Sequence, residues 1–226
     1  MVQCTQTGRS RKVMKVIDNF MPEDIWPELR DMIMDPRNSF PWSFTPDTLQ
    51  DDLLTVDPLD GYQFTHIAYT IHTSYDNSDI PKGKAVPLYN KPSFERFFPF
   101  LNNPKLNCKA LIKLKLNLNP RRSTVFEHGF HVDNDIPGAK TAVFYFNDNN
   151  GYTIFEKTGE KVYSKENRIV IFNNNEKHSG TTTSDTNRRV VMNINFFDNN
   201  LESGHAKVFD KAFRSGSAQF WGDYRG

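Results

Sequence analysis

From Asn107 onward the chain alternates apolar and polar residues in short runs separated by turn residues, the pattern of strands with two unlike faces. The runs are Leu111–Asn119, Val125–Asp133, Thr141–Asn147, Tyr152–Lys157, Lys161–Ser164, Arg168–Phe172, His178–Thr183 and Arg189–Phe197. Between them stand Asn119-Pro120, Pro137-Gly138, Asn149-Asn150-Gly151, Thr158-Gly159-Glu160 and Asn173-Asn174-Asn175, all residues that favour turns. Eight closely spaced strands predict a double-sheet jelly roll.

The first half reads differently. Lys12–Phe20 gives a strand, and Pro22 then opens a run with Ile25, Trp26, Leu29 and Ile33 at helical spacing. Prolines at 36, 41, 46, 58, 81 and 87 interrupt the stretch from Asp35 to Tyr89, out of which one strand stands, Tyr62–Thr73. Ser93–Leu101 predicts a short helix capped by Ser93, with Phe94, Phe97, Phe98 and Leu101 as its apolar stripe. A further short helix is expected over Ala206–Phe213. The fold class is therefore mainly β with flanking helices (α+β). We expect one domain over residues 1–226: N-terminal helices, strands and a lid segment to 110, a jelly-roll core over 111–198, and a tail over 199–226.

A chain of 226 residues can bury roughly 70–75% of its unfolded surface, enough for a substantial core. The net charge of +1 gives no global electrostatic case for nucleic acid or an anionic membrane. No run approaches the roughly 20 apolar residues of a membrane helix, and the start has no signal-like apolar stretch, so a soluble, cytoplasmic protein is expected. Cys4 and Cys108 share no metal-like or disulfide-like spacing and read as idle thiols.

Against that background His131-Val132-Asp133 is informative. Residues two apart on a strand share a face, so His131 and Asp133 can hold one metal ion between an imidazole and a carboxylate. His178 opens a later strand, where a third ligand would enter, giving two nitrogens and one oxygen on one side of an ion, the set of non-haem Fe(II) oxygenases. Asp135 is an alternative carboxylate beside an expected turn. His128, three residues before His131, should face away from it on a regular strand, and His66 and His72 read as ordinary sheet histidines.

The strand starting at Arg188-Arg189 places Arg189, Val191, Asn193 and Asn195 on one face and Arg188, Val190, Met192, Ile194 and Phe196 on the other. The second face suits the side packed between the sheets, and Arg189 then begins a polar face directed at a metal chamber. A guanidinium in a dry pocket needs an anion, and a carboxylate meets it with two parallel hydrogen bonds. A one-residue bulge would put Arg188 in its place.

Residues Leu111–Asp198 resemble the Fe(II)- and 2-oxoglutarate-dependent dioxygenases, within them the prolyl-4-hydroxylase-like branch. The likeness rests on His131-Val132-Asp133-Asn134, the strand Ala142–Asn147, Asn167–Phe172 leading to His178, and Arg189 followed by a strand ending Asn195-Phe196-Phe197-Asp198. It implies a double-stranded β-helix (cupin-like jelly roll). It also implies that His131, Asp133 and His178 are iron ligands, that Arg189 anchors the far carboxylate of 2-oxoglutarate, and that Tyr145, with Asn193 on the same wall, contacts this co-substrate. Where the family carries a Gly-Gly-like element, this chain has Asn149-Asn150-Gly151-Tyr152; where nucleobase demethylases carry a second arginine, it has Asn195.

The implied reaction is hydroxylation of a C–H bond with O2, releasing succinate and CO2, ascorbate being a candidate reductant. A prolyl residue of a peptide, free proline or another small molecule is the expected substrate, met by a wall and lid built from Phe40–Leu101, with Trp42, Tyr69, Tyr75 and Tyr89 as candidate stacking groups. The competing readings are a non-catalytic jelly-roll module binding Zn or Ni, which has no reason to bury Arg189, and a nucleic-acid demethylase.

Overall fold

The computed structural model describes residues 14–46, 62–73, 85–89, 91–134 and 136–198. In chain order the elements are β1 (Met14–Ile17), α1 (Trp26–Met34), β2 (Ser43–Thr45), β3 (Gln63–Thr73), β4 (Ala85–Tyr89), α2 (Lys91–Phe94), α3 (Phe98–Leu101), β5 (Ala110–Pro120), β6 (Lys140–Tyr145), β7 (Tyr152–Phe155), β8 (Lys161–Tyr163), β9 (Arg168–Asn173), β10 (His178–Gly180) and β11 (Arg188–Phe197). Antiparallel pairing gives a large sheet ordered β1-β9-β6-β11-β5-β3-β2, with β4 also on β3, and a small sheet ordered β10-β7-β8. Two antiparallel sheets facing each other, with helices on the outside of the larger, make the expected jelly roll. No helix among the described residues is long and apolar enough to cross a membrane.

β11 sits near the middle of the large sheet, and its two faces set the architecture. Val190, Met192, Ile194 and Phe196 are fully buried together with Leu114 and Leu116 of β5, Ala142 and Phe144 of β6, and Ile169 of β9. They do not pack between the sheets, as the sequence pattern predicts, but against a helical layer: Phe20, Trp26, Leu29, Ile33, Phe97 and Phe100 belong to the same cluster. The physical reason is that α1 has an apolar stripe of its own to cover, and only the outer face of the large sheet is broad enough to cover it. Asn167 pins this layer, its amide side chain accepting from the Met21 N–H at 2.8 Å and donating to the Met21 carbonyl at 2.9 Å. Between the sheets lies a smaller apolar cluster of Met14, Val143, Tyr145, Phe155, Val162, Val170, Phe172 and Val191.

Three local expectations are corrected. Ser93–Leu101 is not one helix: a 3-10 turn over Glu95–Phe97 separates α2 from α3, and Pro99 removes a helical donor at the start of the last turn. Ser93 lies inside α2 rather than capping it, and its hydroxyl meets His66 Nε2 at 2.8 Å. Val125–Asp133 is not a regular strand; it runs beside β10 through isolated bridges, Glu127 to Thr181 and His131 to His178. Cys4, Asp135, Tyr75, His205 and the Ala206–Phe213 stretch lie outside the described residues.

Candidate active site

β10 and the 125–133 segment bring the predicted ligands together. His131 and His178 form a backbone bridge, each N–H donating to the other's carbonyl at 3.0 Å. Their side chains and Asp133 offer ligand atoms that all lie within 4.8 Å of one another. His131 Nε2 stands 3.8 Å from Asp133 Oδ1. Each imidazole is held through its other nitrogen: His131 Nδ1 to the Gly129 carbonyl at 3.3 Å and His178 Nδ1 to the Glu176 carbonyl at 3.0 Å. A carbonyl only accepts, so Nδ1 carries the proton and the Nε2 lone pair is left for an ion.

Electrostatics suit the same purpose. Burial pushes the His178 imidazole below its ordinary value, keeping it neutral as metal ligation requires. Burial opposes charge on Asp133, but the hydrogen bond from Asn195 and the positive field that includes Lys113 favour it and hold the carboxyl below the usual range. That bond, Asn195 Nδ2 to Asp133 Oδ2 at 2.9 Å, leaves Oδ1 towards His131, and the same amide donates to Thr141 Oγ1 at 3.0 Å. A carboxylate and two neutral imidazoles on one side of a common point suit a divalent ion with open positions opposite.

Arg189 is buried to 2% exposure. Its Nε donates to Ser164 Oγ at 2.9 Å, Nη1 to the Thr181 carbonyl at 3.2 Å and Nη2 to the Tyr152 carbonyl at 3.3 Å. Three of the five guanidinium N–H groups are thus engaged, and among the described residues no carboxylate pairs with it. Burial lowers its pKa to about 10, still well above neutrality. Gly151 allows this placement: a Cβ there would stand 2.6 Å from both Arg189 Cδ and the Thr182 carbonyl oxygen. The sequence Asn149-Asn150-Gly151-Tyr152 therefore lets backbone lie directly on the arginine stem. Arg188 faces the opposite way, donating to the Met34 carbonyl, and the only register shift along the β11–β5 pair falls at Asn195/Phe196, so it does not replace Arg189.

One cavity of about 290 Å³ joins these groups; His131, Asp133, His178, Arg189 and Asn193 all line it. Tyr145 does not. Its hydroxyl donates to Thr153 Oγ1 at 2.8 Å, with the Val162 carbonyl at 3.3 Å, and its ring lies 5.5 Å from the guanidinium carbon. It is not among the residues that line the cavity and lies beside Arg189, the group that the sequence pairs with it as a co-substrate contact. Parity puts Tyr145 on the inner face with its partner Val191, which does line the cavity; what separates Tyr145 from the chamber is the small sheet, whose Phe155 and Val162 close over it.

His128 also lines the cavity, against the regular-strand expectation. Three residues separate Glu127 from His131 where two separate His178 from Thr181 on the bridged partner, and the extra residue turns His128 to the inner side. The lysines and asparagines of β5, missed in the sequence, form a whole wall: Lys113, Lys115, Asn117 and Asn119. The signal was the run Lys-Leu-Lys-Leu-Asn-Leu-Asn, strict alternation in a strand long enough to be central. Among the described residues of the Phe40–Leu101 stretch, Gln63 reaches the cavity. His66 is structural, its Nδ1 donating to the Pro41 carbonyl at 2.9 Å, and Trp42 and Tyr69 pack on the helical core. Burial pushes the Cys108 thiol up to about 12, which leaves it inert.

No protein-family model and no curated protein matches the chain. Solved structures do. An oxidoreductase of the 2OG-Fe(II) oxygenase family from Burkholderia pseudomallei is 10% identical with a TM-score of 0.58, over 82% of this chain and 85% of that one. The non-heme alpha ketoglutarate dependent epimerase SnoN from nogalamycin biosynthesis is 11% identical with a TM-score of 0.53, over 83% and 79%. A Trichoplax adhaerens prolyl hydroxylase in complex with a hypoxia inducible factor peptide fragment matches at 14% identity and a TM-score of 0.49, over 83% and 84%. The fold of this chain is that of the 2OG-Fe(II) oxygenases.

Proposed function

We propose that the protein is an Fe(II)- and 2-oxoglutarate-dependent oxygenase that hydroxylates a C–H bond of its substrate, releasing succinate and CO2. The observation that carries this reading is a three-ligand set and a buried arginine with no carboxylate partner among the described residues, on the walls of one cavity. A metal-binding module would need the first and has no use for the second, because burying a guanidinium without an anion is costly.

His131, Asp133 and His178 would hold the iron, and Arg189 would take the distal carboxylate of 2-oxoglutarate with its two remaining N–H groups. Bound there, iron and 2-oxoglutarate supply the oxidation chemistry, with O2 as oxidant and ascorbate as a candidate reductant. The chain's own contribution is position and shielding. The Nδ1 bonds fix both imidazole planes, Asn195 fixes the carboxylate, and Ser164, Thr181 and Tyr152 hold the guanidinium at its place on the cavity wall. Val143 and Val191, also on the wall, keep water from part of the chamber. No side-chain general base is needed. Asn195, at the place where nucleobase demethylases carry a second arginine, is engaged with Asp133, which argues against that specificity.

The test is anaerobic addition of Fe(II) and 2-oxoglutarate. A weak visible charge-transfer band, followed by oxygen-dependent succinate formation, is expected; a protein that binds the metal but shows neither would be a binding module.

A further inference from the structure

The cavity carries more positive charge than this co-substrate can absorb. Among the described residues its charged walls, besides the histidines, are Lys113, Lys115 and Arg189 against Asp133. A divalent ion adds two positive charges and a dicarboxylate removes two, so the excess of two cations in the protein survives the binding of both.

The excess is placed on one strand. Lys113 and Lys115 stand two apart on β5, roughly 7 Å along it, with side chains on the inner face. Their cross-strand partners on β11 are Asn195 and Asn193. Neither lysine has an ion-pair partner among the described residues, although Lys115 is buried enough that its pKa falls to about 8. Arg189 lies six residues back along β11 from Asn195, opposite Asn119, so the lysines occupy the other end of the chamber from the co-substrate anchor. Beside them Asn117 is 8% exposed, and its Oδ1 is buried with no hydrogen-bond partner. A buried acceptor left open on a cavity wall calls for a donor from a ligand. Sites of a few hundred Å³ take small molecules.

We propose, resting on the oxygenase reading above, that the primary substrate is a small organic anion. Lys113 and Lys115 receive its carboxylate or phosphate group, and Asn117 accepts from a neighbouring N–H or O–H. Aspartate, glutamate or another small carboxylate or phosphate of net negative charge meets this description; an internal prolyl residue of a peptide, which is neutral, does not.

The test is binding to protein already loaded anaerobically with Fe(II) and 2-oxoglutarate, followed by calorimetry and by perturbation of the charge-transfer band. The probes are aspartate and glutamate paired with asparagine and glutamine, N-acetylproline paired with its carboxamide, and glycerol phosphate and ribose phosphate paired with glycerol and ribose. We expect at least one anion to bind more than tenfold tighter than its neutral partner, and which set it comes from separates carboxylate from phosphate. That preference should vanish in Lys113→Met/Lys115→Met and persist in Lys113→Arg/Lys115→Arg. Equal binding of anion and neutral partner throughout the panel, or no binding by any anion, overturns the proposal. So does a tenfold loss of 2-oxoglutarate affinity in the methionine variant, which would give the lysines to the co-substrate. Failure of the unmodified protein to bind 2-oxoglutarate at all would instead sink the oxygenase reading.

Discussion

Both faces of β11 carry deeply buried side chains, and they do opposite work. Outward, Val190, Met192, Ile194 and Phe196 are at most 1% exposed in an aromatic-rich core; inward, Arg189 and Asn195 are 2% and 1% exposed on a cavity wall. Burial alone does not separate core from site. What separates them is the opposing surface: a helical layer that can fill space on one side, and a second sheet held off by polar side chains on the other. A central strand with one polar face buried is therefore a sign of an internal chamber, because polar groups tolerate burial only when something hydrogen-bonds them.

The comparison breaks if damage to one face spreads to the other. The largest effect is expected outside: Phe144→Ala, at a fully buried position touching Phe20, Trp26 and Phe100, should cost about 3–5 kcal/mol in denaturant unfolding. Co-substrate affinity of the fraction still folded should change little. Inside, Arg189→Ala should raise the 2-oxoglutarate requirement more than tenfold, since charge-assisted hydrogen bonds are worth about 1.5–3 kcal/mol each. Unchanged affinity in a calorimetric titration of that variant would remove the anchor from the proposal. Asn195→Ala should weaken Fe(II) binding about tenfold or more by freeing the Asp133 carboxylate to turn, seen in metal titration.

The smallest effect belongs at the rim, where neither face is involved. Asp18, after β1, is drawn from 3.8 to about 2, chiefly by a hydrogen bond from Arg168, with help from Lys165. A depressed carboxyl stabilises the fold above its unfolded value and loses that contribution as pH falls from 3.8 through about 2. The group is 39% exposed, so Asp18→Asn should cost less than about 1 kcal/mol at neutral pH, with the difference closing in acid unfolding curves.

Much of this was legible beforehand, for stated reasons. Alternation gave the strands and put Arg189 and Asn195 on one face, because a pleated strand has no other parity. His131, Asp133 and His178 could be picked out together because a strand puts the first two on one face and the third opens a later strand, with Arg189 eleven residues beyond it. Alternation does not say what each face meets, so by pattern alone the apolar side of β11 reads as the inter-sheet side, whereas it packs on the helical layer. Nor could it foresee the extra residue between Glu127 and His131, which reverses parity for His128, or the closure of Phe155 and Val162 over Tyr145. Those depend on pairings between segments distant in sequence, on which a local pattern is silent.

The bridge between His131 and His178 has one more consequence. Two amide hydrogens, on residues far apart in the chain, are locked by the same pair of backbone bonds that sets the two imidazoles side by side. Opening that bridge separates the imidazoles, so a bound ion resists the opening, and the two amides should exchange with deuterium together and slow together as metal is added. The peptide backbone thus carries its own gauge of occupancy, readable without any chromophore or turnover.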